Sequence, residues 1–206
     1  LLGDAGLKLV DDDSKTPPRV RHTTRQLDDY GNELFSAAWT EGGQRCETVT
    51  VPQNDPATWL LGLPQSTAVT CNKDGLTLPE PRLQTMEHDS RGLLEKVTVE
   101  PNYPTLSTVT TYTRNARGLV KKVTVAATGE PSRKIFIAHD NEGVYPRATW
   151  NALGHYQQQI LHPAYGVPVL AQDPNGIQVR YLYDGFGRVR EIDPDAILLV
   201  SSGYSD

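Results

Sequence analysis

The 206-residue chain carries a net charge of −5 and a sequence pI near 5.5, so it lacks the excess of clustered Lys and Arg that tracks a phosphate backbone, which excludes a nucleic-acid partner. Its longest apolar runs, Trp59 to Leu61 and Ala196 to Val200, fall far short of the ~18 residues that suggest a membrane span. The apolar share lies slightly below that of an average soluble domain, which leaves room for a core but not a thick one.

The chain opens on Leu1-Leu2-Gly3 without Met and closes on Ser205-Asp206 in repeat-like sequence, as a piece of a longer protein would. Residues 1–27 read as an N-terminal strand and loop segment, and residues 28–206 as a repeat region. Within the first segment, Val10 to Val20 holds three consecutive Asp residues and the pair Pro17-Pro18; proline removes ladder donors, so this stretch is expected to be a loop. Cys46 and Cys71 are neither a disulfide framework nor a zinc pattern, and whether they form a single bridge stays open. From Asn54 to Gly62 the order Asp55, Pro56, Gly62 predicts a short helical turn, with Asp55 as cap, Pro56 at the first helical position and Gly62 as terminator. That turn would plug the space between strands.

The strongest internal signal is a four-residue unit with a turn-former first and Gly last, as a tight connection with Gly at positive φ requires. It occurs at Asp28–Gly31, Asn72–Gly75, Asp89–Gly92, Asn115–Gly118, Asp140–Gly143, Asn151–Gly154, Pro163–Gly166, Asp173–Gly176 and Asp184–Gly187. In the C-terminal half the glycines recur about every eleven residues, as in successive hairpins. Between the turns lie β-branched and aromatic runs, Val97 to Val99, Ser107 to Thr113, Val120 to Val125 and Ile177 to Tyr183, without helical periodicity. In the last of these, Ile177, Val179, Tyr181 and Tyr183 share one face, and Gln178, Arg180 and Leu182 the other. The fold class is therefore all-β, an antiparallel meander of successive hairpins with at most short helical turns.

At Tyr181-Leu182-Tyr183-Asp184-Gly185-Phe186-Gly187-Arg188-Val189 the sequence resembles the YD repeat of Rhs-type proteins, a family that includes the insecticidal Tc-toxin B and C subunits. Asp173-Pro174-Asn175-Gly176 and the stretch Asn54 to Pro64 are similar to the SpvB/TcB-like region of such proteins, so the resemblance spans roughly residues 28 to 195. Other units are degenerate: His88-Asp89 and His139-Asp140 carry His at the repeat's Tyr position, and Tyr112-Thr113 precedes Asn115 with no adjacent Asp. The repeat motif rests on Tyr183, Asp184, Gly187, Arg188, Asp173 and Gly176. These residue types have local structural reasons to be there, since Asp accepts backbone N–H groups, Gly takes the left-handed position, and Tyr brings an apolar body with a hydroxyl.

What the resemblance implies is a segment of a secreted or cell-surface bacterial shell, a container in which the hairpins enclose and protect a toxic C-terminal polypeptide. Its partners would be that cargo and other shell segments or subunits, and an open sheet adds edge-to-edge self-association. Complete members carry an aspartyl autoprotease core; Asp193-Pro194-Asp195 lacks the Gly expected after Asp-Pro, so that core is not found here. An adhesive module, binding carbohydrate or a partner protein, is the competing reading.

Covalent chemistry finds little footing. His22, His88, His139, His155 and His162 are scattered outside any H-E-x-x-H or H-x3–5-H pattern, and Ser201-Ser202-Gly203 lacks the preceding Gly of a nucleophile elbow. Gly185-Phe186-Gly187 is followed by Arg190 and a strand, not by the Gly and helix of a dinucleotide site. The acidic runs at Asp11 to Asp13 and at Glu191, Asp193 and Asp195 lack calcium-loop spacing. No catalytic, cofactor or metal residue is assigned, and the chain is read as no enzyme. Trp39, Trp59 and Trp150 are expected to be buried in strands or in the plug, with a sugar-stacking face as the alternative.

Overall fold

The computed structural model describes residues 9–10, 20–73, 76–77 and 80–194. Among the described residues every regular element is a strand. They are β1 (Leu9–Val10), β2 (Val20–Leu27), β3 (Glu33–Thr40), β4 (Arg45–Asp55), β5 (Leu60–Lys73), β6 (Leu76–Thr77), β7 (Arg82–His88), β8 (Leu94–Val99) and β9 (Thr108–Arg114). There follow β10 (Val120–Ala127), β11 (Arg133–His139), β12 (Pro146–Asn151), β13 (Tyr156–Leu161), β14 (Pro168–Gln172), β15 (Gln178–Tyr183) and β16 (Val189–Asp193). Strand order follows chain order from β1 to β16, except that β5 pairs with both β6 and β7, and the sheet does not close on itself. The fold is the all-β antiparallel meander that turn spacing and β-branched runs foretell.

By contacts the chain divides into two compact units, Leu1–Thr111 with Ala126–Pro131, and Tyr112–Val125 with Ser132–Asp206. The boundary drawn from sequence between residues 27 and 28 falls inside the β2–β3 hairpin of the first unit. Most of the Val10–Val20 segment lies outside the described residues, as do Asp74 and Gly75 of the Asn72 turn and the residues beyond Pro194.

In the first unit, β4 and β5 are the longest strands, at 11 and 14 residues. Cys46 and Cys71 oppose each other in their register and form a disulfide, with Cα atoms 4.1 Å apart. On the neighbouring pairs a cross-strand ladder runs His22, Trp39, Arg45: the imidazole stacks on the indole at 5.3 Å, and the guanidinium lies 4.6 Å from the ring centre. Such cross-strand contacts are the unit of sheet stabilisation.

The helical turn expected at Asn54 to Gly62 is not there. β4 runs through Asp55, β5 begins at Leu60, and the two residues pair across a tight turn. Asp55 does cap, accepting the Ala57 N–H at 3.0 Å and the Thr58 hydroxyl at 2.8 Å. An Asx turn and a helix N-cap use the same hydrogen bonds, and long strands pairing on both sides decide between them. The plug fails with it: Trp59 sits at the hairpin tip with φ +56° and is 82% exposed, not buried.

The thin core expected from composition reduces to almost nothing. Among the described residues only Ala37 (2% exposed) and Ala148 (7%) are buried apolar side chains, while Val49, Val51, Ile135, Ile160 and Ile192 stay open to solvent. A sheet face is stable when a second layer covers it. Within each unit the strands lie side by side, and apolar side chains such as Val49 and Ile135 face solvent.

Candidate functional site

The repeat motif is best followed at its strongest instance. The Asp184 carboxylate accepts the Phe186 N–H at 2.9 Å and the Arg188 N–H at 3.1 Å through Oδ1, and Arg188 Nε at 2.7 Å through Oδ2. The backbone closes the loop twice: Asp184 N–H donates to the Arg188 carbonyl at 2.9 Å, and Gly187 N–H to the Asp184 carbonyl at 3.0 Å. Gly187 stands at φ +77°, where a β-carbon is strained. The result is a three-residue hairpin loop, a type I turn followed by a left-handed residue. Donation by the Arg188 backbone N–H, ahead of the Phe186 N–H and the Arg188 side chain, lowers the Asp184 carboxyl below its ordinary range. Asp173 and Gly176 repeat the arrangement, with Oδ1 accepting from Asn175 at 2.9 Å and Ile177 at 2.8 Å.

These six residues do not converge. Asp173 and Gly176 precede β15 and Asp184 to Arg188 follow it, so the two turns lie at opposite ends of a strand about 20 Å long at the usual rise. Tyr183 belongs to neither turn; its hydroxyl donates to the Pro168 carbonyl at 2.6 Å and so ties the start of β14 to the end of β15. Asp28, Asp89, Asn115, Asp140 and Asn151 occupy the equivalent turn position, each accepting backbone N–H groups. The unit at Pro163 needs correction: the turn starts at His162, whose Nδ1 accepts the Ala164 N–H at 3.2 Å and whose carbonyl takes the Gly166 N–H. Imidazole offers a ring nitrogen where carboxylate or amide oxygen usually serves, so a search for Asp or Asn misses it.

In each unit the turns fall into two rows, one at each end of the strands, and the rows differ in two ways. In the second unit, every turn after the first in one row is overlain by a side chain from the turn before. Arg117 donates to the Glu142 carbonyl and lies against Gly143; the Tyr145 hydroxyl oxygen would meet a β-carbon at residue 166 at 3.0 Å; the Tyr165 ring would meet one at residue 187 at 3.3 Å. The Tyr165 hydroxyl also donates to the Gly185 carbonyl at 2.8 Å. In the first unit Asn32 covers Gly62 and hydrogen-bonds Asn54, while Leu60 covers Gly92. Across the strands of the second unit, Gly154 has nothing within 4 Å, and Gly176 only its own turn's Gln172.

The second difference is register. Beside the covered row the pairing shifts at Gln26/Leu27, Glu87/His88, Ala138/His139, Ile160/Leu161 and Leu182/Tyr183, whereas the β12–β13 and β14–β15 pairs run without a shift. Each shift leaves one extra residue on the strand that follows the turn, a β-bulge that bends and twists that strand. Sequence spacing shows the turns but neither the covering side chains nor the bulges. The available signal was the residue just before the turn glycine, Arg117 or Tyr165, which is large where it covers the next turn.

Among the described residues, no group of three or more His, Cys, Asp or Glu side chains could hold a metal ion. No protein-family model and no curated protein matches the chain. Solved structures similar to it include the crystal structure of TcdB2-TccC3-TEV, at 14% identity and TM-score 0.35 over 91% of this chain, and that of TcdB2-TccC3-Cdc42, at 15% identity and TM-score 0.35 over 87%. The crystal structure of TcdB2-TccC3 aligns at 14% identity and TM-score 0.34 over 87%. The chain spans 13% of the length of each.

Proposed function

We propose that this chain is a wall segment of a bacterial YD-repeat shell that encloses a toxic polypeptide before delivery. The observation that carries the reading is that, among the described residues, Ala37 and Ala148 are the only buried apolar side chains. Strands whose apolar side chains stay this open need something against their faces, and a chamber wall has contents on one face and surroundings on the other. One-sided bulging supports the same reading. Bulges that recur beside one row of turns repeat a bend in the same sense with each pair of strands, as a curving wall requires. The Cys46–Cys71 bridge favours an oxidising compartment, consistent with a secreted or surface-exposed parent. Enclosure works by steric exclusion, and no residue here is assigned covalent chemistry.

Electron microscopy of the full-length parent with its downstream segment tests this. A hollow particle with internal density is the expected result; a solid or rod-like particle would overturn it.

One observation favours the adhesive reading. Trp59 is 82% exposed at a hairpin tip and held at positive φ, a conformation that costs a non-glycine residue about 1–3 kcal/mol and that clusters at binding sites. Glycan-array binding that disappears in Trp59→Gly, with the fold intact, would establish it.

A further inference from the structure

Within the second unit a groove over β14 has a different chemistry on each side. Its volume is about 540 Å³, inside the ~300–1,000 Å³ range of ligand sites. The floor is the small residue Ala171, which pairs with Gln159 of β13 on one side and with Val179 of β15 on the other. Side chains two apart on a strand share a face, so Gln157 and Gln159 form one wall, and Ile177, Val179 and Tyr181 the other. Arg147 and Thr149 of β12 back the glutamine wall, with Thr149 paired to Gln157. Two charged residues line the groove. The Asp173 carboxylate is engaged in its own turn, accepting the N–H groups of Asn175 and Ile177, whereas the Arg147 guanidinium makes no hydrogen bond or ion pair with any other described residue. The Gln157 amide is equally free among the described residues, and Gln159 uses only its Nε2, on the Pro146 carbonyl at 2.9 Å.

We propose that this groove takes an extended segment of a partner protein in which an acidic residue stands between aliphatic ones, with the carboxylate on Arg147 and the aliphatic side chains on Ile177, Val179 and Tyr181. An extended peptide laid along β14 advances about 6.5 Å for every two residues, the same repeat as the walls, and turns successive side chains to opposite sides. The guanidinium offers a carboxylate two parallel donors, and each glutamine amide has a donor and an acceptor for the peptide's main chain. The other wall contributes by losing water from its apolar surface. A basic residue in the acidic position would face Arg147 with a like charge and be rejected. The inference depends neither on enclosure nor on Trp59.

Fluorescence anisotropy of the full chain with labelled Val-Glu-Val-Thr-Val tests the proposal, with Val-Lys-Val-Thr-Val and Ser-Glu-Ser-Thr-Ser for comparison. The first peptide is expected to bind at least roughly fivefold more tightly than either of the others. Arg147 and Ile177 are both exposed, so replacing them leaves packing intact. Arg147→Glu should reverse the preference between the Glu and Lys peptides, and Ile177→Ser should weaken binding of the first peptide. Leu182→Ser, on the opposite face of β15, should leave it unchanged. No binding, equal binding of the Glu and Lys peptides, an unchanged preference in Arg147→Glu, or equal effects of Ile177→Ser and Leu182→Ser overturns the proposal. A parent particle without a chamber would defeat the enclosure reading and leave this site standing, while a chain that binds none of the peptides would do the reverse.

Discussion

The two units solve the same problem by different means. The first has the long β4–β5 pair, braced by the Cys46–Cys71 bridge, and turns joined side chain to side chain through Asp28, Asn32 and Asn54. The second has strands of five to eight residues and no cysteine, with a turn glycine about every eleven residues. Short strands contribute few ladder bonds each, so register there depends on the turn that joins them. Where a covalent brace fixes register, turn spacing is free to drift, and the irregular spacing of the N-terminal half shows that it does.

The largest difference should appear when the brace is removed. Closing a loop across a sequence separation of 25 residues is worth about 3 kcal/mol in the chain-entropy model. The double substitution Cys46→Ala with Cys71→Ala should therefore lower stability by about that much, with hydrogen-exchange protection lost first along β4 and β5. Equal loss of protection in β11 to β15 would break the contrast between the units.

Next comes the second unit's dependence on its turns. Gly187→Ala places a methyl group at φ +77° and 3.3 Å from the Tyr165 ring, whereas Gly154→Ala at φ +81° meets only open space. The first should cost about 2 kcal/mol and the second about 1 kcal/mol, since backbone strain is common to both and crowding is not. Urea midpoints measure both, and equal losses would mean that the covered row adds nothing beyond backbone conformation.

The meander was legible because its signals are local. Eight of the nine turn units are fully or partly described as turns at the expected glycines, and Gly with Asp or Asn at fixed offsets admits few other conformations. Misreadings arose where one local pattern serves two structures. Asp55-Pro56 caps a helix or a hairpin equally well, and only the pairing of β4 with β5 decides. The row contacts of Tyr145 and Tyr165 join residues some twenty positions apart, so no periodicity of a single strand displays them. Composition likewise could not show that, among the described residues, only two alanines would be buried apolar side chains.

Within the covered row, Tyr165→Phe keeps the ring over Gly187 and removes only the hydrogen bond to the Gly185 carbonyl. A loss of about 0.5 kcal/mol is expected for so exposed a bond. Thermal unfolding should show a smaller shift than for Gly187→Ala; a larger one would place the row's contribution in the hydroxyl and not in packing.

The finest contrast is electrostatic and belongs to the first unit. The side-chain amide of Asn32, with further donors from the Asn32 backbone, the Asn54 amide and the Tyr30 backbone, brings the Asp28 carboxyl from 3.8 down to about 2. A folded-state value below the unfolded one means that the unfolded chain binds the proton first as pH falls. The contribution of Asp28 is therefore present in full above the ordinary value of 3.8 and disappears as pH drops through about 2. Asn115 and Asn151 show that an amide oxygen suffices for the turn itself, so Asp28→Asn keeps the acceptor for Tyr30 and Asn32. It replaces the second oxygen, which takes the Asn32 and Asn54 amides, with a donor facing donors. The variant should thus be less stable than the parent at neutral pH, and the gap should close as pH falls from about 4 toward about 2. Urea midpoints across that window decide it: a gap that stays constant would assign the whole effect to hydrogen-bond geometry and none to charge.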